Sequence, residues 1–131
     1  MGFHRRLALI YAAILFGAAA LNYIPGLTDA EGRVFGVFAL DVFDDLLHLV
    51  SGLWALGAAL ISSRAARQFL LIFGALYLGD GLLGLATGSG YLDLGIINNG
   101  MLDLPFGFRI AANAPHILLG AVALAAGLRR A

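Results

Sequence analysis

Four long apolar stretches divide this chain, and its formal charge sorts to one side or the other of them. All eight basic residues are arginine. Arg5, Arg6, Arg64, Arg67, Arg129 and Arg130 flank the stretches on what would be one face of a four-span chain. Asp29, Glu31, Asp41, Asp44, Asp45, Asp93 and Asp103 lie in or beside the two opposite connections, and only Arg33 and Arg109 break the pattern. An arginine excess in short loops fixes orientation during insertion, so both termini are expected in the cytoplasm. The expected fold is all-α and integral to the membrane: a four-helix transmembrane bundle forming one transmembrane domain over residues 1–131.

Composition agrees with lipid as the solvent. The chain has 131 residues, of which 61% are hydrophobic and 12% charged, with a mean hydropathy of +0.92. A soluble domain is roughly half apolar and about a quarter charged. Four spans of about 20 residues use most of the length, so any chemistry must sit within the bundle or at its faces. The net charge is zero and no basic run could track phosphates, which argues against a nucleic-acid partner. The absence of cysteine excludes thiol catalysis and thiolate metal sites.

The spans read as about residues 5–24, 41–63, 66–87 and 110–129. His4-Arg5-Arg6 before Leu7–Ala20 resembles the start of a signal peptide, but we read this segment as a retained first span. Pro25-Gly26 stops it, and Ser62-Ser63-Arg64 is short enough only for a tight turn between antiparallel neighbours. The outer connections, 25–40 and 88–109, are long and carry Phe35, Phe38, Ile96, Ile97, Met101, Leu102, Phe106 and Phe108. They are expected to fold back on the bundle or lie in the interface, with a short helix in 88–109.

A second pattern is internal. Phe38–Gly52 aligns with Phe106–Gly120 at one offset, placing Asp41 on Arg109, Asp45 on Asn113, His48 on His116 and Gly52 on Gly120. A weaker register sets Phe16-Gly17 on Leu78-Gly79. A 2+2 internal repeat would relate the halves by an axis along the membrane normal. It places the second and fourth spans centrally, the two histidines at equal depth, and Asp41 and Arg109 on the outer rim.

The chemistry-bearing residues converge in depth. His48 and His116 lie early in inward-running spans, and Asp80 lies late in an outward-running one. Asp44 and Asp45 precede His48 by four and three residues, and Asn113 precedes His116 by three, so each set shares a helix face. The candidate cluster is therefore Asp44, Asp45, His48, Asp80, Asn113 and His116. Three readings stay open. In the first, Asp45 and Asn113 are helix N-caps, with Pro115 in the first turn of a fourth helix. In the second, the histidines and carboxylates hold a divalent metal or haem. In the third, Asp80 and the histidines carry protons or cations, although the inner halves of the spans offer little polarity beyond Ser51, Ser62 and Ser63.

The repeated Asp/Asn-x-x-His-x-x-x-Gly segment, with Phe35-Gly36, Asp45, His48, Gly52, Asn113, His116 and Gly120, resembles a bacterial family of small four-helix integral membrane proteins of unknown function. The resemblance implies fold and membrane placement, and no activity. The sequence leads us to expect a non-catalytic accessory or scaffold protein of the bacterial inner membrane, packing against other membrane subunits or itself. The alternative is a haem- or metal-binding membrane protein working in electron transfer or ion handling.

Overall fold

The computed structural model describes residues 2–24, 26–27, 29–30, 42–91, 96–97, 100 and 105–130. Its main elements are four helices: α1 (Phe3–Ala20), α2 (Val42–Ile61), α3 (Ser63–Thr87) and α4 (Phe106–Leu128). A short 3-10 turn, Leu21–Tyr23, follows α1. There is no strand among the described residues. At 1.5 Å per residue the helices run from roughly 27 to 38 Å, the reach needed to cross a hydrocarbon core of about 30 Å. All four are long and apolar enough to span a membrane. The protein is an integral membrane protein built as an all-α bundle.

Helix α1 ends at Ala20 and α3 begins at Ser63, a few residues before the expected 24 and 66, and the two expected N-caps are not caps. Helix α4 begins at Phe106, ahead of the expected 110, so Pro115 lies inside the helix and Asn113 is no N-cap. The Asn113 side-chain Nδ2 instead donates to the Arg109 carbonyl, 2.9 Å away and one turn back. Asp45 likewise sits within the first turn of α2 beside Asp44. There a carboxylate favours the helix through its dipole without occupying the cap position. The expectations for Asp41, Asp93, Asp103 and most of both outer loops lie outside the described residues.

Packing is organised around α3. Helix α1 pairs most extensively with α2, and α3 with α4, while α3 also touches α1 and α2. Within the span windows, 44% of α3 is buried against 17% of α4. This corrects the placement of the fourth span at the centre, while α2, at 39%, is nearly as enclosed as α3. The reason is side-chain size. Phe69, Phe73 and Tyr77 repeat every four residues on one face of α3 and stack on one another, with ring centroids 4.9 and 3.9 Å apart. Against this ladder α1, α2 and α4 present mostly small residues, among them Ala8, Ala12, Ala55, Ala59 and Ala123. Tyr11 of α1 adds a perpendicular ring 5.4 Å from Phe73.

Helix ends are closed by side chains from neighbouring helices. Arg5 of α1 donates from Nε to the Ala59 carbonyl at 2.6 Å and from a terminal nitrogen to Leu60 at 3.2 Å, capping α2. Arg67 of α3 donates from Nε to the Gly127 carbonyl at 2.8 Å, and the His4 Nε2 bonds the Ala126 carbonyl at 3.0 Å, together capping α4. The last carbonyls of a helix lack the N–H of a following turn, and a cation suits the negative end of the dipole. Between α2 and α3, Ser62 accepts the Ala65 N–H at 3.0 Å as an N-cap. At the opposite end α3 closes through Gly88, whose φ of 84° and N–H bond to Gly84 at 2.8 Å form a left-handed C-cap. Arg109 of α4 also donates to the α3 carbonyl of Ala86 at 3.1 Å. This gives one of the two exceptional arginines a structural reason to lie on the acidic side.

The α3–α4 pair depends on backbone contact at Gly74 and Gly120. A Cβ at Gly120 would lie 2.8 Å from the Leu78 Cα and 2.9 Å from the Gly74 carbonyl oxygen, and a Cβ at Gly74 would meet Leu124 and Gly120 in the same way. Around Gly17 of α1 there is nothing within 4 Å. Gly120→Ala is expected to cost about 1–3 kcal/mol through overpacking. Gly17→Ala should be neutral or stabilise by up to about 1 kcal/mol. Reversible unfolding of the purified protein in detergent would measure both.

Candidate functional site

The half of the bundle away from the Arg5 and Arg67 contacts holds a buried polar junction of three helices. Asp80, near the end of α3, is only 4% exposed. Its Oδ2 lies 2.5 Å from His116 Nδ1 on α4. Its Oδ1 accepts the backbone N–H of Tyr91 at 2.8 Å. The carboxylate thus ties α4 and the segment after α3 to one point. Gly90 makes this possible, because the Asp80 carboxylate occupies the space where a Cβ at residue 90 would stand. The Tyr91 hydroxyl donates back to the Leu76 carbonyl at 2.5 Å, folding the segment against α3. Burial, then the Asp80 charge, raises the Tyr91 phenol above the ordinary tyrosine value.

Helix α2 joins through ring packing and a hydroxyl pair. His48, itself buried, meets His116 edge to face, with centroids 5.9 Å apart and planes at 82°. Tyr77, one turn before Asp80, tilts against His116 at 4.8 Å and donates its hydroxyl to Ser51 Oγ at 3.2 Å. Tyr77 and Ser51 were not among the expected site residues. The signal was there in spacing: Tyr77 is three residues from Asp80 and Ser51 three from His48, so each pair shares a face. A lone tyrosine or serine within a span otherwise reads as ordinary packing.

The six expected residues divide. Asp80, His116 and His48 come together. Asp44 is buried one turn before His48. Asn113 lies against α3 at Gly84, where its amide fills the space of the missing side chain. Asp45 points elsewhere: its Oδ2 accepts the Tyr23 hydroxyl at 2.9 Å. That bond, reinforced by the carboxylate charge, raises the Tyr23 phenol.

The chemistry available is a carboxylate–imidazole pair with a second imidazole and a phenol beside it. Among the described residues no group of three or more His, Cys, Asp or Glu side chains comes together to hold a metal, so the metal and haem reading gains no support from the donor set. Beyond Ser51 and Tyr77 the buried positions of α2 and α3 are apolar, among them Ala55, Ala58, Ala59, Phe69 and Phe73, and the one hydroxyl beside them among the described buried residues, that of Tyr11 on α1, donates to the Leu119 carbonyl at 2.6 Å.

No curated protein and no solved structure matches the chain. Residues 5–129 match the family model described as a domain of unknown function (DUF4383), and by that near-complete coverage the chain belongs to this family.

Proposed function

We propose that the protein is a non-catalytic accessory or scaffold subunit of the bacterial inner membrane that packs against other membrane proteins. The observation that carries this reading is the use made of the polar side chains within the bundle. Asp80 is engaged by His116 and Tyr91, Tyr77 by Ser51, and Arg5 and Arg67 by helix-end carbonyls. Each holds two parts of the fold together, whereas a catalytic group must meet a substrate. Helix α4 offers a surface for a partner. Large and small residues alternate on its exposed side, including Ile110, Ala111, Leu118, Ala121, Val122 and Ala125. Small residues allow another helix to approach closely in lipid. Photo-crosslinkers placed at Ala111, Leu118 and Ala125 should give discrete protein adducts in native membranes, while one at Leu53 of α2 yields lipid products. The absence of any protein adduct from α4 would contradict the proposal.

The same reading places both termini and the turn at Ser63 in the cytoplasm and derives the bundle from a duplicated hairpin. Support comes from positions rather than sequence identity. His4, Ala8, Tyr11, Ala12 and Leu15 are buried in α1, and the residues 62 positions later, Ala66, Leu70, Phe73, Gly74 and Tyr77, are buried in α3. Arg5 and Arg67 keep that offset, and the carbonyls they cap, Ala59 and Gly127, keep the 68-residue offset that relates His48 to His116. Cysteines introduced at Gly2 and Ser63 of this cysteine-free chain should both resist an impermeant thiol reagent on intact cells and react after permeabilisation. Labelling of either one on intact cells would reverse the orientation or break the equivalence of the hairpins.

A further inference from the structure

His116 uses one of its two ring nitrogens. Nδ1 lies 2.5 Å from the Asp80 carboxylate, whose other oxygen accepts the Tyr91 N–H. The carboxylate is an acceptor, so the hydrogen-bond pattern assigns the ring proton to Nδ1. In a neutral imidazole the second nitrogen is then a bare acceptor. That nitrogen, Nε2, bonds nothing among the described residues, and it is not enclosed. The His116 side chain is 21% exposed, against 5% for Asp80.

Depth and direction limit what can reach it. His116 stands ten residues after the start of α4 and twelve before its end, roughly 15 and 18 Å along the axis. What surrounds the open nitrogen at that depth is hydrocarbon, which offers no donor. His116 shares a stripe with Gly120, Ala123 and Gly127, all buried, so its ring turns into the bundle toward α2. Helices α2 and α4 have little backbone contact, and the His48 and His116 rings, 5.9 Å apart, bridge them here. Tyr77 tilts against the same imidazole at 4.8 Å. A helix laid on the outside of α4 cannot reach this nitrogen. A flat ring entering between α2 and α4 can.

We propose that His116 is the recognition residue of a binding site for a lipid-soluble hydroquinone, which donates a hydroxyl to Nε2. Its apolar body suits the depth, and its aromatic ring suits the rings of His48 and Tyr77. The acceptor also selects the oxidation state. A hydroquinone brings an O–H, whereas the corresponding quinone brings carbonyl oxygens that only accept. Asp80 is a positioning residue, because it fixes which nitrogen carries the proton. An amide in its place keeps its oxygen for the Tyr91 N–H and turns its NH2 to Nδ1. The ring proton then moves to Nε2, which becomes a donor.

Nitrogen NMR of the detergent-purified, histidine-labelled protein reads this at the atom itself. The titrants are decylhydroquinone, decylbenzoquinone and the dimethyl ether of the hydroquinone, added under argon. The hydroquinone should shift the His116 Nε2 resonance and bind about ten-fold more tightly than the quinone or the ether, the worth of one hydrogen bond. Asp80→Asn should invert the preference to quinone over hydroquinone, which a merely structural loss would not do. His116→Phe, which keeps a ring and removes both nitrogens, should bind all three alike, and decides the matter if Asp80→Asn folds poorly. Equal affinity of the native protein for the hydroquinone and its ether, a native preference for the quinone, or an unchanged preference in folded Asp80→Asn would each overturn the proposal.

Discussion

Lipid offers no hydrogen bonds, and that constraint accounts for most of what is specific in this bundle. A helix end in water leaves its last carbonyls to the solvent; in or near a bilayer each needs a partner from the protein. Here the partners are mainly arginines reaching across to a neighbouring helix. Arg5 closes α2, Arg67 closes α4 with His4, and Arg109 reaches the end of α3 from the other side. The arginines gathered at one end of the bundle are thus also residues that join α1 to α2 and α3 to α4.

The second consequence concerns helix association. Burying apolar surface contributes little when the surroundings are equally apolar, so close fit and polar contacts must hold the helices together. Helix α3 supplies both. Its aromatic ladder fills the space left by alanines on three neighbours, and its glycines admit the backbone of α4. Toward its C-terminal end Asp80 joins α4 through His116 and the following segment through Tyr91. A carboxylate facing lipid would cost about 2.5–3.5 kcal/mol on insertion scales. Enclosed and bonded, it becomes a joint.

Much of this was legible in the sequence, for identifiable reasons. The four spans follow from length and apolarity, and the Asp80–His116 meeting from depth along antiparallel helices. The start of α4 was not legible. Asn113 and Pro115 carry the chemistry of a helix beginning, yet the two turns before Asn113 are helical, Asn113 bonding the Arg109 carbonyl rather than capping. The identity of the central helix was hidden as well. The histidines drew attention to α2 and α4, whereas enclosure depended on where the large rings of Phe69, Phe73 and Tyr77 met small neighbours, a relation between helices that no single span displays. Ser51 and Tyr77 were not placed in the cluster because their pairing exists only once α2 and α3 are set side by side.

The central claim is that the buried polar groups hold the bundle together. A double-mutant cycle between Asp80→Ala and His116→Ala, measured by reversible unfolding in detergent, tests it most directly. Each single change should destabilise the protein, and the pair should show a coupling of about 0.6–1.7 kcal/mol, the range for polar contacts between membrane helices. Additive effects with no coupling, in variants that still fold, would contradict it.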